Sequence, residues 1–205
     1  MFARQGTLLG AVAPAVDRRF TELGRTWLDD TSWLDHHPGW LAGSDEVFAE
    51  LVRTLPWSQR TVTMYEQRVL EPRLTAWCSA PHEQAAGPWD QPVIHEARRA
   101  LEGHYGVALP WVGANWYRDG RDSVAWHRDR VRVGHAEPLV AIVSLGASRP
   151  FLVRPHGGGP SRRWSVGAGD LLVMGGEAQH RWEHGVPKVA AAGPRISLMF
   201  RDHQA

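Results

Sequence analysis

The chain has a single cysteine and a single lysine, and the cysteine count excludes two kinds of site. Among its 205 residues, Cys78 stands alone, which excludes an internal disulfide and any cysteine-rich zinc site. Lysine occurs only at Lys188, although lysine and arginine together number 23. We attribute this bias mainly to genome composition, although arginine does grip phosphate and carboxylate better than lysine does.

Long apolar runs and a strong net charge are also missing. No stretch approaches the ~20 apolar residues of a membrane span, and segment 8–16 is too short and too weakly apolar for a signal peptide. The net charge of +1 gives no strong basic field for nucleic acid, although a local basic groove can lie within a neutral total. We therefore expect a cytoplasmic protein that does not contact membranes.

The chain is long enough for one substantial core, since 43% of its residues are hydrophobic. We expect a single domain over 1–205, with an N-terminal extension to residue 110 and a catalytic core over 111–205. Two helices are predicted in the extension, one from Ser44 to about residue 55 and one from Pro92. Residues 59–77 alternate like strands. Segment 20–27 fits either a helix or a strand, and 1–14 is a loose arm.

Short strand-like runs fill the second half of the chain. Most are separated by Gly or Pro at the spacing of an all-β sandwich or barrel. This pattern predicts a mainly β fold with flanking helices. Its core is a double-stranded β-helix (jelly roll), and the N-terminal helices cover the outer face. The predicted runs are 111–117, 124–129, 139–145, 151–154, 163–166, 171–174, 181–184 and 195–201.

His127 and Asp129 are the first candidate metal ligands. On a strand, residues two apart point to the same face, so an imidazole and a carboxylate can reach one ion together. The pair alone is weak, because His-x-Asp occurs by chance and a lone strand histidine is more often simply hydrogen-bonded.

A third ligand is expected downstream, at His184 or His180. The two share strand parity, so periodicity does not choose between them. Gly185 leaves backbone room beside His184, which is why we prefer that residue. Two histidines and one carboxylate bind one face of Fe(II) and leave positions open for a co-substrate and O2.

The run 195–201 carries an arginine at each end. Odd positions share one face and the even, apolar positions share the other, so the even face is core. Arg195 and Arg201 then point into the barrel or, on an exposed edge strand, into solvent. Beside a metal motif, an arginine pair suits a dicarboxylate, and Asn115 and Tyr117 share a face from which both can donate to the same anion. These features predict an iron- and 2-oxoglutarate-dependent oxygenase.

Three motifs together resemble the AlkB family of dioxygenases. They are Asn115-x-Tyr117-x-x-Gly120-x-Asp122-x4-His127-x-Asp129, then His184-Gly185-Val186-Pro187-Lys188, then Arg195-x5-Arg201. Segments 72–77 and 141–147 look like that family too, so the resemblance covers roughly residues 60 to 201. The combination is specific, although each motif alone is not.

The resemblance implies cofactors and roles. His127, Asp129 and His184 would bind Fe(II), with no catalytic side chain beyond this metal site. Four residues would hold 2-oxoglutarate, with Arg195 on the distal carboxylate: Asn115, Tyr117, Arg195 and Arg201. Family members use O2 to oxidise N-alkyl groups on nucleobases. They release formaldehyde, succinate and CO2, which implies repair of alkylated DNA.

The chain departs from the family in the region that contacts substrate. Arg130 and Val131 stand where well-known repair members have acidic residues that help discriminate the damaged base. Trp77 stands where relatives often carry a tyrosine of the substrate lid. Trp77, Trp126 and Arg130 are the candidate substrate contacts. Two alternatives remain for the arginine run Arg128, Arg130 and Arg132. Its members either bind phosphate or form a solvent-exposed strand face.

The partner is expected to be alkylated DNA or RNA, bound by a monomer with no obligate protein partner. One alternative keeps the chemistry and moves it to RNA, or to a protein or small-molecule N-methyl group. A second alternative is a jelly-roll binding module that has lost catalysis.

Overall fold

The computed structural model describes residues 12–64, 67–78, 87–131 and 134–202. Within these ranges the strands are β1 (Ala15–Val16), β2 (Gly24–Trp27), β3 (Ser32–His37), β4 (Leu41–Ala42), β5 (Thr61–Met64), β6 (Gln67–Leu70), β7 (Leu74–Trp77), β8 (Trp111–Tyr117), β9 (Val124–His127), β10 (Val140–Gly146), β11 (Arg149–Pro155), β12 (Arg162–Val166), β13 (Leu171–Gly176), β14 (Trp182–Val186) and β15 (Arg195–Arg201). The helices are α1 (Ser44–Thr54), α2 (Pro92–Tyr105) and α3 (Ala178–Arg181), with a short 3-10 helix at Gly87–Trp89.

Two antiparallel sheets form the body of the protein. The major sheet has seven strands in the order β2-β3-β13-β10-β15-β8-β7, and the minor sheet has four in the order β12-β11-β14-β9. Two further strand pairs, β1-β4 and β5-β6, lie outside them. The predicted mainly β fold with a jelly-roll core is confirmed.

The helices cover the outer face of the major sheet, as predicted. One face of α1 buries Val47 and Leu51, and one face of α2 buries Ile94 and Leu101. They share one apolar cluster with strand residues that include Phe200. Burying this apolar surface at roughly 25 cal/mol per Å2 fixes the helices on the sheet.

A second apolar cluster lies between the two sheets. It includes Val140, Phe151, Val153 and Met199 from strands of both sheets. Strand β15 lies between β10 and β8, so it is a central strand, and the exposed-edge alternative for its arginines is wrong. The even positions of β15 belong to the helix-facing cluster, whereas Met199 belongs to the cluster between the sheets.

Several predicted elements differ in detail. The strand predicted over 124–129 ends at His127, and the run predicted over 181–184 begins only at Trp182 because Arg181 still belongs to α3. Segment 20–27 contains strand β2, which with β3 extends the major sheet from the N-terminal side. Most of the predicted loose arm, residues 1–11, lies outside the described residues.

Among the described helices, none has the length and apolar character to cross a membrane.

Candidate metal and co-substrate site

The three predicted metal ligands meet at the inner face of the minor sheet. His127 and His184 are directly paired across β9 and β14, which places their rings on the same side. Their ring centroids are 4.2 Å apart, and His127 Nε2 lies 3.8 Å from Asp129 Oδ1. Candidate ligand atoms of all three residues lie within 4.8 Å of one another. The arrangement can hold one metal ion.

Both histidines can present a ring nitrogen to a metal. His127 Nδ1 lies 2.9 Å from the Ala125 carbonyl oxygen, to which it can donate its proton, leaving Nε2 as the ligand atom. Burial lowers the pKa of His184 to about 3, and the nearby His127 contributes in the same direction. Phe151 stacks on the His184 ring with a centroid distance of 5.5 Å, which helps fix its orientation.

Asp129 lies beyond the end of β9, and Arg201 and Gln179 contact it from elsewhere in the fold. Arg201 Nη2 lies 3.0 Å from Asp129 Oδ2. The Asp129 backbone N–H donates to Gln179 Oε1 at 3.2 Å, and Gln179 is buried in the short helix α3. The rival ligand His180 lies in the same helix, with its Nε2 2.9 Å from the His135 carbonyl oxygen and outside the metal cluster.

Arg195 is fully buried on the interior face of the major sheet. Its Nε donates to Ser144 Oγ at 2.6 Å, and its guanidinium carbon lies 5.4 Å from the centre of the Tyr117 ring. Burial lowers its pKa to about 10, so the side chain remains a cation at neutral pH. Neither terminal nitrogen, Nη1 or Nη2, has a hydrogen-bond partner among the described residues.

The two unpartnered nitrogens of Arg195 show whether the pocket has donors for a carboxylate of 2-oxoglutarate. A buried donor without a partner costs about 1–3 kcal/mol, and the parallel N–H groups of a guanidinium match the two oxygens of a carboxylate. A dicarboxylate whose distal end meets Arg195 would satisfy both nitrogens. The site therefore fits the co-substrate.

Tyr117 and Asn115 flank Arg195 on the same face, as predicted. In the register of β8 and β15, Tyr117 lies opposite Arg195 and Asn115 lies opposite Ser197. Burial raises the pKa of the Tyr117 phenol, which therefore remains a donor at neutral pH. Asn115 Nδ2 makes a weak 3.6 Å contact with Met199 Sδ.

Trp77 lies inside the barrel, next to Arg201. The guanidinium carbon of Arg201 is 4.9 Å from the centre of the Trp77 ring. Trp77 pairs with Gly113 across β7 and β8, and a Cβ at position 113 would come within 2.2 Å of the indole. The absent side chain at Gly113 is what leaves room for Trp77 beside Arg201.

Trp126 and Arg130 lie on two grooves beside the metal cluster. Trp126, adjacent to His127 in β9, has the Arg154 guanidinium carbon 4.2 Å from its ring centre and lines an apolar groove of about 590 Å3. Arg130 is exposed and lines a polar groove of about 520 Å3 with Arg128 and Asp129. A role for either in binding substrate stays a prediction.

The predicted arginine run also includes Arg128 and Arg132. Arg128 donates through Nη1 to the His180 carbonyl oxygen at 2.7 Å, so that nitrogen already has a partner. Arg128 does not continue strand β9, which ends at His127, and Arg132 lies outside the described residues.

Sequence reasoning missed four residues of the site. Ser144 was detectable as the polar residue of the otherwise apolar run 140–145, whereas Phe151 and Gln179 gave no local signal. Arg149 is fully buried and donates to the carbonyl oxygens of Asp119, Asp122 and Pro187 at 2.8–2.9 Å. It thereby ties the loop before β9 to the segment after β14, a role visible only in three dimensions.

Comparison with known sequences agrees with this geometry. Residues 38–201 match the model of the 2OG-Fe(II) oxygenase superfamily. Alpha-ketoglutarate-dependent dioxygenase alkB homolog 3 of Bos taurus is 34% identical over 78% of this chain and 62% of its own length. DNA oxidative demethylase ALKBH2 of Homo sapiens is 30% identical over 78% of this chain and 69% of its own length. The chain thus spans about three fifths of the length of its alkB homolog 3 relatives, 61% for the human protein.

Solved structures show the same fold. OsALKBH1 superposes with a TM-score of 0.56 at 14% identity, over 88% of this chain and all of its own. An oxidoreductase of the 2OG-Fe(II) oxygenase family from Burkholderia pseudomallei gives a TM-score of 0.51 at 18% identity, over 76% of each chain. The chain belongs to the 2OG-Fe(II) oxygenase superfamily, named for its Fe(II) and 2-oxoglutarate cofactors, and its relatives place it among the AlkB homologues.

Proposed function

We propose that this protein is an Fe(II)- and 2-oxoglutarate-dependent dioxygenase that removes N-alkyl groups from nucleobases in DNA by oxidation. One observation carries the proposal: a two-histidine, one-carboxylate cluster shares the barrel interior with a buried arginine whose terminal nitrogens lack partners. The names of the relatives, a dioxygenase and a DNA oxidative demethylase, support the reaction and the substrate class.

Each site residue receives a specific task. His127, Asp129 and His184 hold the metal on one face, leaving its other positions for ligands. Arg195 binds the distal carboxylate of 2-oxoglutarate. Fe(II), 2-oxoglutarate and O2 supply the oxidation that converts an N-methyl group to a hydroxymethyl group, with succinate and CO2 as co-products.

The remaining residues orient the co-substrate and the metal carboxylate. Tyr117 and Asn115 donate hydrogen bonds to 2-oxoglutarate from β8, beside Arg195. Arg201 keeps Asp129 directed at the metal, and Trp77 packs on Arg201. The hydroxymethyl group then leaves the nitrogen as formaldehyde, which restores the base without a further catalytic side chain.

The experiment measures formaldehyde and succinate from Fe(II), 2-oxoglutarate and single-stranded DNA oligonucleotides. One set carries cationic N1-methyladenine or N3-methylcytosine, and another carries neutral N3-methylthymine or N1-methylguanine. Formaldehyde that requires a lesion and disappears in His127→Ala supports the proposal. Succinate without formaldehyde from any lesion would refute the nucleobase substrate while retaining the oxygenase.

Parallel RNA oligonucleotides with the same lesions decide between DNA and RNA. If succinate forms but neither nucleic acid is demethylated, the hypothesis of a methylated protein or small-molecule substrate is favoured. A non-catalytic binding module has no support from the relatives, which are named as a dioxygenase and a demethylase. A cytoplasmic location, a monomeric state and the lack of an obligate protein partner stay predictions.

A further inference from the structure

Positively charged side chains outnumber carboxylates in the two grooves beside the metal cluster. Among the lining residues that the structure describes, the carboxylates are Asp129 and Glu71, whereas the cations are Arg73, Arg128, Arg130 and Lys188. The surface beside the metal cluster is therefore more positive than the net charge of the whole chain suggests.

Both groove carboxylates already have arginine partners. Asp129 Oδ2 lies 3.0 Å from Arg201 Nη2, and Asp129 is also the proposed metal ligand. Glu71 Oε1 lies 3.2 Å from Arg73 Nη2. Glu71 Oε2 has no hydrogen-bond partner among the described residues, but it is buried and so is not exposed to a positively charged base in the groove.

The interior adds to this imbalance. Two buried cations, Arg195 and Arg201, face the site together with one metal-binding carboxylate, Asp129. The charges of Fe(II) and of the 2-oxoglutarate dianion cancel each other. The loaded site consequently retains more positive than negative charge.

Lys188 is the exposed cation of the apolar groove, and Arg130 is the exposed cation of the polar groove that has no partner among the described residues. Arg130 follows the metal ligand Asp129 directly, it is exposed, and it makes no hydrogen bond or ion pair with any residue in the described ranges. Arg128, by contrast, already donates to the His180 carbonyl oxygen. Arg130 is thus free to donate to an acceptor on a bound base.

Alkylated bases differ in their charge, to which a positively charged site is sensitive. Methylation at N1 of adenine or N3 of cytosine gives a base that is cationic at neutral pH. N3-methylthymine and N1-methylguanine stay neutral and present a carbonyl oxygen next to the methylated nitrogen. Repulsion from the positively charged site disfavours the cationic bases. An arginine donor can form a hydrogen bond with the carbonyl oxygen of a neutral base.

We propose that this site prefers neutral, carbonyl-bearing N-methyl bases over cationic ones, and that Arg130 is a specificity-determining residue. The inference rests on the nucleobase demethylation proposed above. It differs from a phosphate contact by Arg130, which would strengthen binding of every oligonucleotide alike and carry no information about the base.

The test compares kcat/KM for the four lesions in one oligonucleotide sequence, in wild-type protein, Arg130→Glu and Arg163→Glu. Arg163 is the matched control, an exposed arginine on β12 at the opposite edge of the minor sheet from β9. We expect the wild-type protein to favour the neutral lesions. Arg130→Glu should move the cationic-to-neutral ratio about tenfold toward the cationic lesions, as expected of a two-unit charge change near the partly solvated base. Arg163→Glu should leave the ratio unchanged.

Two results would overturn the inference alone. One is a wild-type preference for the cationic lesions, and the other is an equal loss for all four lesions in Arg130→Glu, which would assign Arg130 to phosphate. Absence of formaldehyde from all four lesions would instead refute nucleobase demethylation, and this inference would fail with it.

Discussion

The Asp129 carboxylate lies 3.0 Å from the Arg201 guanidinium, and both side chains are buried. The pair joins the irregular segment after β9 to the central strand β15 of the opposite sheet. One carboxylate thus serves two partners, because one oxygen faces Arg201 and the other lies near His127 Nε2.

Replacing Arg201 with methionine removes one of those partners. We expect the metal-free protein to lose about 3 kcal/mol of unfolding free energy, because the buried carboxylate loses its arginine partner. Mn(II) should then stabilise the variant more than it stabilises the wild type, since the metal restores a cationic partner to the Asp129 carboxylate. Thermal unfolding with and without Mn(II) measures both effects, with Arg201→Lys as the charge-preserving control. Equal stabilisation by Mn(II) in Arg201→Met and wild type would contradict the shared role.

Arg195→Met tests the co-substrate pocket separately from the metal. The dissociation constant for 2-oxoglutarate should rise about 100-fold, as expected for loss of a charged, two-pronged contact. Mn(II) affinity should stay unchanged, and the protein without co-substrate should not be destabilised, since the variant removes a buried charge that no carboxylate satisfies. Calorimetric titration of the Mn(II)-loaded protein gives the constant. A rise of less than about threefold would assign the distal carboxylate elsewhere.

Gln179→Leu tests whether α3 positions the metal carboxylate. Loss of the acceptor for the Asp129 backbone N–H should weaken Mn(II) binding about tenfold, in the range of other contacts that orient a ligand. Gln59→Leu is the control, an exposed glutamine whose side chain donates to the Glu71 carbonyl oxygen. If thermal stability without metal falls in Gln179→Leu while Mn(II) affinity is unchanged, Gln179 supports the fold and not the ligand.

Gly113→Ala tests the packing of Trp77. The added methyl group would lie within 2.2 Å of the indole, so we expect a loss of roughly 1–3 kcal/mol in unfolding free energy from overpacking. Trp77→Leu in the same chain should recover part of that loss, because the smaller side chain frees the space. Additive losses in the double variant, measured by urea unfolding, would show that the two residues do not compete for one volume.

The sequence predicts those parts of the fold and site that depend on local periodicity. Strand β15 follows from strict alternation between Arg195 and Arg201, and α1 and α2 follow from apolar residues at helical spacing. The choice of His184 over His180 as a ligand stays a prediction, and the structure groups His184 with His127 and Asp129. Gly185 marks a close backbone approach, because a Cβ there would lie 3.1 Å from the Val124 carbonyl oxygen.

What the sequence could not predict depends on partners distant in the chain. Asp129 was expected on a strand, yet it lies beyond the end of β9 and is positioned by Gln179 and Arg201, 50 and 72 positions away. Helix α3 has four residues, too few for a periodic signal. Arg149 satisfies carbonyl groups of two separate segments, and no local pattern marks such a residue.

The most direct test of the central claim is binding of 2-oxoglutarate with and without Mn(II), in wild-type protein and in His184→Ala. We predict one Mn(II) per wild-type chain and tight 2-oxoglutarate binding only when that metal is present, because the co-substrate needs both the metal and Arg195. His184→Ala should lose both together. Stoichiometric 2-oxoglutarate binding that ignores the metal, or Mn(II) binding that survives in His184→Ala at wild-type affinity, would contradict the account.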